Sequence, residues 1–507
     1  MAEKHHASTF GVICRNSLVF LFALVSALFI LSWFFVLRSA DRPTIIDLGL
    51  LSGGTTANSL IGNRGSLSLE GNAVEPLAGK PELVGNNVEK VQEGEEGQPQ
   101  KKSDFEIGNK QRRKPLKVFM YDMPAEFHFE LLDWKAQGNS VWPDLRGKVP
   151  HYPGGLNLQH SIEYWLTLDL LASETPGLPS GGSAVRVRNS SEADVIFVPF
   201  FSSLCYNRYS KVNPHKKRSR NKELQEKLVR YVTSQKEWKM SRGRDHVIMA
   251  HHPNSMLDAR MKLWPAMFLL ADFGRYPPSV ANVEKDVIAP YKHVIKSYTN
   301  DASDFDSRPI LLYFQGAIYR KDGGFARQEL FYLLKDEKDV HFQFGSVQKD
   351  GVNKASQGMH SSKFCLNIAG DTPSSNRLFD AIASHCVPVI ISDDIELPYE
   401  DVLDYSEFCI FVRTSDAIKE KFLVNFIRSI KKDEWTRMWQ RLKEVEKYFE
   451  FQYPSKENDA VQMIWQAIAR KAPAIRMKVN RSRRYTRSIP HQNDRSRRSV
   501  PSPGNFW

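Results

Sequence analysis

The sequence predicts an α/β protein of two lobes, set behind one membrane-spanning helix and a flexible stem. Three observations predict it. From Lys117 onward, short apolar runs of strand length alternate with helical stretches, the pattern of parallel sheets covered on both faces. The chain has 507 residues, more than one hydrophobic core usually organises. Ser17–Leu37 is apolar and carries no charge.

The elements follow in chain order. Residues 1–16 read as a short cytoplasmic tail. Residues 17–37 span about 31 Å as a helix, the thickness of a bilayer's hydrocarbon core. A cleaved signal has a shorter apolar stretch, and Trp33, Phe34 and Phe35 suit an interfacial belt, so an anchor is expected. Residues 38–115 contain Phe105 as the single aromatic from Asp41 onward, among many Gly, Asn, Glu and Ser residues. Such a stretch buries too little apolar surface to fold alone and reads as the stem. Two sequons, at Asn189 and Asn480, would accept glycans on the lumenal side alone.

The body divides into a lobe over 116–300 and a second over 301–470. In the first, Val118–Tyr121, Val195–Phe201 and His246–Ala250 read as buried strands and Ser161–Leu171 as a helix. In the second, Ile310–Phe314, His341–Phe344, Phe364–Ile368 and Val387–Ser392 read as strands. Glu434–Phe449 is an amphipathic helix whose Trp435, Met438, Trp439, Leu442 and Val445 face a core. Residues 471–507 read as a basic tail. From 470 to the end, eleven Lys and Arg oppose one acid, Asp494, so this stretch holds ten of the chain's net twelve positive charges. Charge confined to a tail, behind a membrane anchor, argues against a nucleic-acid partner. The basic loop Lys211–Lys222 reads as a solvated surface. None of the five cysteines stands in a C-x-x-C pair, which speaks against zinc. In a lumenal body Cys205, Cys365, Cys386 and Cys409 could form at most two disulfides, in a pairing the sequence leaves open.

The stretch from Gly370 to Ser392 carries the chemistry. Ser374 or Ser375 can cap a helix with Leu378, Ala381 and Ile382 on its apolar face, after which the chain re-enters the sheet. A helix opening beside a sheet offers free N–H groups to a pyrophosphate. Arg377 in its first turn can reach the same oxygens. Asp380, one turn deeper, could accept two ribose hydroxyls. The alternative is an exposed Arg377–Asp380 ion pair.

That stretch, with Glu396-Leu397-Pro398-Tyr399, resembles the donor-binding signature of the exostosin family, glycosyltransferase family 47. In order, Val118–Pro124 (VFMYDMP), His160–Leu166 (HSIEYWL), Ala193–Phe201 (ADVIFVPFF), Asp245–Pro253 (DHVIMAHHP), Asp272–Tyr276 (DFGRY) and Leu311–Gly316 (LLYFQG) are similar too. The likeness covers roughly residues 115–475 and is greatest to the plant branch that includes arabinosyltransferases. It implies the GT-B architecture, two Rossmann-like lobes facing across a cleft with the donor held by the second. It implies an inverting transfer from a UDP-sugar to a polysaccharide acceptor without obligatory metal or other cofactor. It also implies a type II protein of the Golgi membrane, alone or in a homo- or hetero-complex with other transferases. A non-catalytic glycan- or nucleotide-sugar-binding partner in such a complex is the alternative reading. Where the plant branch has Phe-Arg-Gly this chain has Phe314-Gln315-Gly316. Either that arginine is no phosphate ligand, or Arg320, Lys321 or Arg327 covers its role, or activity is altered.

Without a metal, a departing diphosphate needs arginines and N–H groups. Gly316, Arg320, Lys321, Arg327, Ser374, Ser375, Arg377 and Asp380 are therefore the expected donor-binding set. The base should come from the first lobe, and His160, Glu163, Asp272 and His252 are the alternatives for it. Asp304-Phe305-Asp306 has the spacing of a metal-binding D-x-D but lies in a polar loop, so no metal site is assigned there.

Overall fold

The computed structural model describes residues 114–487, except 137, 213–216, 299, 321–323 and 346–349. The expected tail 1–16, anchor 17–37 and nearly all of the stem lie outside these residues. Among the described residues no helix is long and apolar enough to cross a membrane.

The first lobe is a six-stranded, all-parallel sheet. Its strands are β1 (Leu116–Met120), β2 (Ala184–Val187), β3 (Val195–Val198), β4 (His246–Met249), β5 (Met267–Leu270) and β6 (Val287–Ile288), ordered β2-β1-β3-β4-β5-β6. Every side chain of β3, β4 and β5 is buried, as helices on both faces require. The second lobe is a five-stranded parallel sheet of β7 (Ile310–Gly316), β8 (Val340–Phe344), β9 (Ser362–Ile368), β10 (Val387–Ile391) and β11 (Ile410–Phe411), ordered β11-β10-β9-β7-β8. Its strand order reverses between β7 and β9, and ligands of open α/β sheets bind outside the carboxyl ends at such a switch point. Cys365 of β9 is disulfide-bonded to Cys386, the residue before β10, while Cys205 and Cys409 are buried thiols.

The lobes do not follow the chain to its end. Helix Ala460–Arg487 returns to the first lobe, where Val461, Ile464, Trp465, Ile468, Ile475 and Val479 join that lobe's core. Asp169 of helix Ile162–Glu174 accepts Trp465 Nε1–H at 3.0 Å and the Gln462 amide at 3.2 Å, satisfying a carboxylate that burial would otherwise penalise. Residues 471–487, expected to begin a solvated tail, are therefore structured. Apolar residues at helical spacing among the arginines bury one face while the cations stay outside. In the stretch 211–222, whose end already belongs to helix Arg220–Ser234, three of the cations make surface ion pairs, Arg218–Glu226, Arg220–Glu130 and Lys222–Asp258.

Candidate active site

The carboxyl ends of both sheets open onto one interlobe cavity of about 500 Å³. From the second lobe it is lined by the segments after β7 (Gln315, Gly316, Arg320), after β9 (Gly370–Thr372, Ser374–Arg377) and by Arg327 and Asp380. From the first it receives His160, His252, Asn254, Arg275 and Tyr291.

The second-lobe wall is cationic. Arg327, on helix Phe325–Leu334, is 2% exposed and donates to the carbonyls of Ile368 (Nη2, 2.7 Å), Ala369 (Nε, 3.0 Å) and Ala317 (Nη1, 3.2 Å). Arg377 donates through Nε to the Gln315 carbonyl at 2.9 Å and through Nη1 to Ser375 Oγ at 3.3 Å. It lies over the Phe314 ring, 5.1 Å from the centroid. Among the described residues neither guanidinium has a carboxylate at ion-pair distance. Burial pushes Arg377 down to about 10, against the pull of Asp380 and with Arg320 adding to the shift. It pushes Arg327 down to about 9, with Arg377 and Arg320 adding to the shift and Asp371 opposing it. Arg320 alone is paired, to Asp371 at 3.0 Å. Gly316 makes the arrangement possible: a Cβ there would stand 2.0 Å from Arg377 Nη2. Gly370 does the same for Arg327, at 2.7 Å from Nη2.

Several expected donor residues are used differently. The helix begins at Arg377 with Asn376 in the capping position, not Ser374 or Ser375. Ser375 Oγ accepts Arg377 N–H at 3.2 Å. The Ser374 hydroxyl donates across the cleft to Asp272 and lies 3.1 Å from Tyr291 Oη. Asp380 is buried, and its oxygens accept Val294 N–H and Asn376 Nδ2–H, both at 2.8 Å. It therefore ties the interlobe linker to the donor loop, which leaves little acceptor capacity for a ribose. The alternative of an exposed Arg377–Asp380 pair is also overturned, because both side chains sit in the cleft wall. Lys321 lies outside the described residues.

Two of the four expected bases are occupied elsewhere. Glu163 accepts Ser203 Oγ–H at 2.9 Å, Leu204 N–H at 3.0 Å and Tyr152 Oη–H at 3.4 Å. It thereby satisfies the free donors of helix Ser202–Tyr209, away from the cavity, and burial pushes it up to about 8. Asp272 is the latch on Ser374, accepts Gly274 N–H at 3.0 Å and does not line the cavity. Close packing of Gly274 against Pro373, whose Cδ would lie 2.5 Å from an added Cβ, seals the same latch. His160 and His252 do face the cavity, with rings 4.7 Å apart. Burial lowers both: His252 to about 4, with Arg275 adding to the effect, and His160 well below the usual imidazole range. Each is a neutral imidazole at physiological pH. Asp304 accepts Ser307 N–H at 3.0 Å and Asp306 pairs with Lys432 on the surface, so the D-x-D spacing forms a turn there. Asn189 and Asn480 are both exposed.

His251, Tyr291, Arg275 and Asn376 were not singled out by sequence, though all but Tyr291 sit inside quoted motifs. Their positions depend on contacts with residues distant in the chain.

Residues 112–427 match the Exostosin GT47 domain. The chain belongs to the exostosin GT47 family. Over 373 residues it is 40% identical to "Probable arabinosyltransferase ARAD1" of Arabidopsis thaliana, covering 73% of this chain and 81% of that protein. "Probable glucuronosyltransferase Os01g0926700" of Oryza sativa subsp. japonica is 25% identical over 378 residues, 71% of this chain and 82% of its own length. "Probable beta-1,4-xylosyltransferase IRX10L" of Arabidopsis thaliana is 23% identical over 381 residues, with coverages of 71% and 82%. This GT47 protein is thus a glycosyltransferase, and its two parallel α/β lobes are consistent with a GT-B-like fold. Within the GT47 match fall the strands of both sheets, Arg327, Arg377, His160, His251 and His252.

Proposed function

We propose that this GT-B glycosyltransferase moves a pentose or hexose, such as arabinose, xylose or galactose, from a UDP-sugar to a plant cell-wall polysaccharide of the pectin or hemicellulose class. Transfer proceeds with inversion and without a metal. The observation that carries this reading is the pair Arg327 and Arg377, two guanidinium groups on the cavity wall with carbonyl and hydroxyl partners but no carboxylate. A low-dielectric wall whose cations lack a direct ion-pair partner favours an anion of matching charge, and a diphosphate takes planar guanidinium forks bidentately. The same cations would stabilise the charge that develops as the diphosphate departs. Across the cavity, neutral imidazoles are suited to accept the proton of an acceptor hydroxyl. Of the cations expected to replace the family's arginine at position 315, Arg327 fits that task best, since Arg320 is neutralised by Asp371.

A lumenal Golgi location is supported by the Cys365–Cys386 disulfide, which needs an oxidising compartment, and by the exposed sequon at Asn189. The test is UDP release by the full chain in detergent against a panel of UDP-sugars, with and without EDTA. Turnover of one UDP-sugar, unchanged by EDTA and lost in Arg377→Ala, is the expected result. A folded protein that binds UDP but turns over none of the panel would favour the non-catalytic partner reading instead.

A further inference from the structure

Hydrogen bonds around His160, His252 and the buried His251 behind them fix where each proton sits. His251 Nε2 lies 3.0 Å from the Ala289 carbonyl, which can only accept, so Nε2 carries the hydrogen. Its Nδ1 is then a lone pair. That lone pair lies 2.9 Å from His160 Nδ1, so His160 Nδ1 must be the donor. In neutral His160 the remaining nitrogen, Nε2, is therefore unprotonated, on a ring that lines the cavity. His252 comes out opposite. Its Nδ1 accepts the Asn254 N–H at 3.1 Å, so neutral His252 carries its hydrogen on Nε2. Two adjacent imidazoles thus present complementary atoms, a lone pair on one and a hydrogen on the other.

Resting on the transferase reading above, we propose that His160 Nε2 is the catalytic base, that His251 is the positioning residue that fixes its tautomer through Ala289, and that His252 is a hydrogen-bond donor to the substrates. As the acceptor oxygen bonds to the anomeric carbon, its proton passes to His160 Nε2. The bond from that carbon to the diphosphate oxygen breaks, and the electron pair leaves with UDP. The imidazolium keeps its Nδ1–H on His251 until the proton is released to solvent. The groups facing His160 are His251, His252 and Tyr291, at centroid distances of 5.0, 4.7 and 4.9 Å. None is an anion, so nothing holds the base protonated between turnovers.

The test combines ¹⁵N-histidine NMR with kinetics on the full chain. Chemical shifts should report Nδ1–H for His160 and Nε2–H for His251 and His252. In His251→Phe, His160 is free to move its hydrogen to Nε2, and kcat should fall about 100-fold or more. KM for the UDP-sugar and UDP affinity should stay within a factor of about two, and the pH–kcat profile should change shape. His251→Asn places an acceptor oxygen near the lost Nδ1 and should recover at least about tenfold of that loss. An Nε2–H signal for His160 in the wild type overturns the proposal, as does wild-type kcat in a folded His251→Phe. Failure of every UDP-sugar to turn over would defeat the transferase reading, yet the NMR assignment would still decide the tautomers.

Discussion

Arg308 and Arg327 are the two most deeply buried arginines of the second lobe, 0% and 2% exposed, and they are treated in opposite ways. Arg308 donates to Asp301 Oδ2 at 2.9 Å, to the Ser362 carbonyl at 3.0 Å and to Ser303 Oγ at 2.9 Å. Asp301 in turn accepts from His385 and His360, and His385 reaches Glu446. The network is closed: every charge in it has an opposite. Arg327, joined in the cleft by Arg377, has carbonyl dipoles but, among the described residues, no carboxylate at ion-pair distance, and one side of the pair faces open space. A closed network of this kind holds the linker and β9 together. An open one is a standing electrostatic demand for an anion.

The two sites can be separated by mutation. The largest expected effect is on the closed network. Arg308→Ala strips the charge-assisted hydrogen bonds from Asp301, the Ser362 carbonyl and Ser303 Oγ, leaving Asp301 its histidine partners, and should cost about 3 kcal/mol of unfolding free energy, measured by chemical denaturation. If that variant unfolds like the wild type, the contrast is wrong at its structural end. Arg377→Ala should do the reverse, with stability held or improved while the UDP Kd rises about 100-fold, or ~2.7 kcal/mol, by calorimetry. Equal loss of stability in both variants would erase the distinction.

The opposite wall extends the comparison to pH. His252 is held neutral, lowered to about 4, whereas an unfolded histidine titrates near 6.5. A depressed folded value means that its stabilising contribution is complete above pH 6.5 and is lost as pH falls towards 4. Between pH 6.5 and 5 this one residue should account for about 2 kcal/mol of lost stability. His252→Gln should flatten the pH–stability curve by that amount; an unchanged curve would show the ring already protonated. The smallest effect is the most local. Gly316→Ala places a methyl group where Arg377 Nη2 lies. It should weaken UDP binding about tenfold, or ~1.4 kcal/mol, with the melting temperature nearly unchanged. A UDP affinity equal to wild type would mean that Arg377 can act from another rotamer.

The alternation of apolar strands and helices was enough to predict two parallel α/β lobes, because buried parallel strands must be apolar on both faces and so stand out along the chain. The strands at Val195, His246, Ile310, Phe364 and Val387 begin within two residues of where the apolar runs begin. Arg377 and Gly316 were legible for a related reason, lying in motifs next to those strands. By contrast, Asp380 and Glu163 look from the sequence like free carboxylates on helices, and only packing showed their oxygens filled by backbone and hydroxyl donors from elsewhere.

Local sequence determines periodicity, strand and helix identity and the class of charge at a position, since those depend on neighbours within a few residues. It cannot determine which groups lack a partner. Arg327 meets carbonyls 41 residues away, His160 meets His251 across 91, and Ser374 meets Asp272 across 102. Whether a buried charge is satisfied, or which imidazole nitrogen bears the proton, is set by those distant atoms, and tertiary structure alone brings them within hydrogen-bond reach.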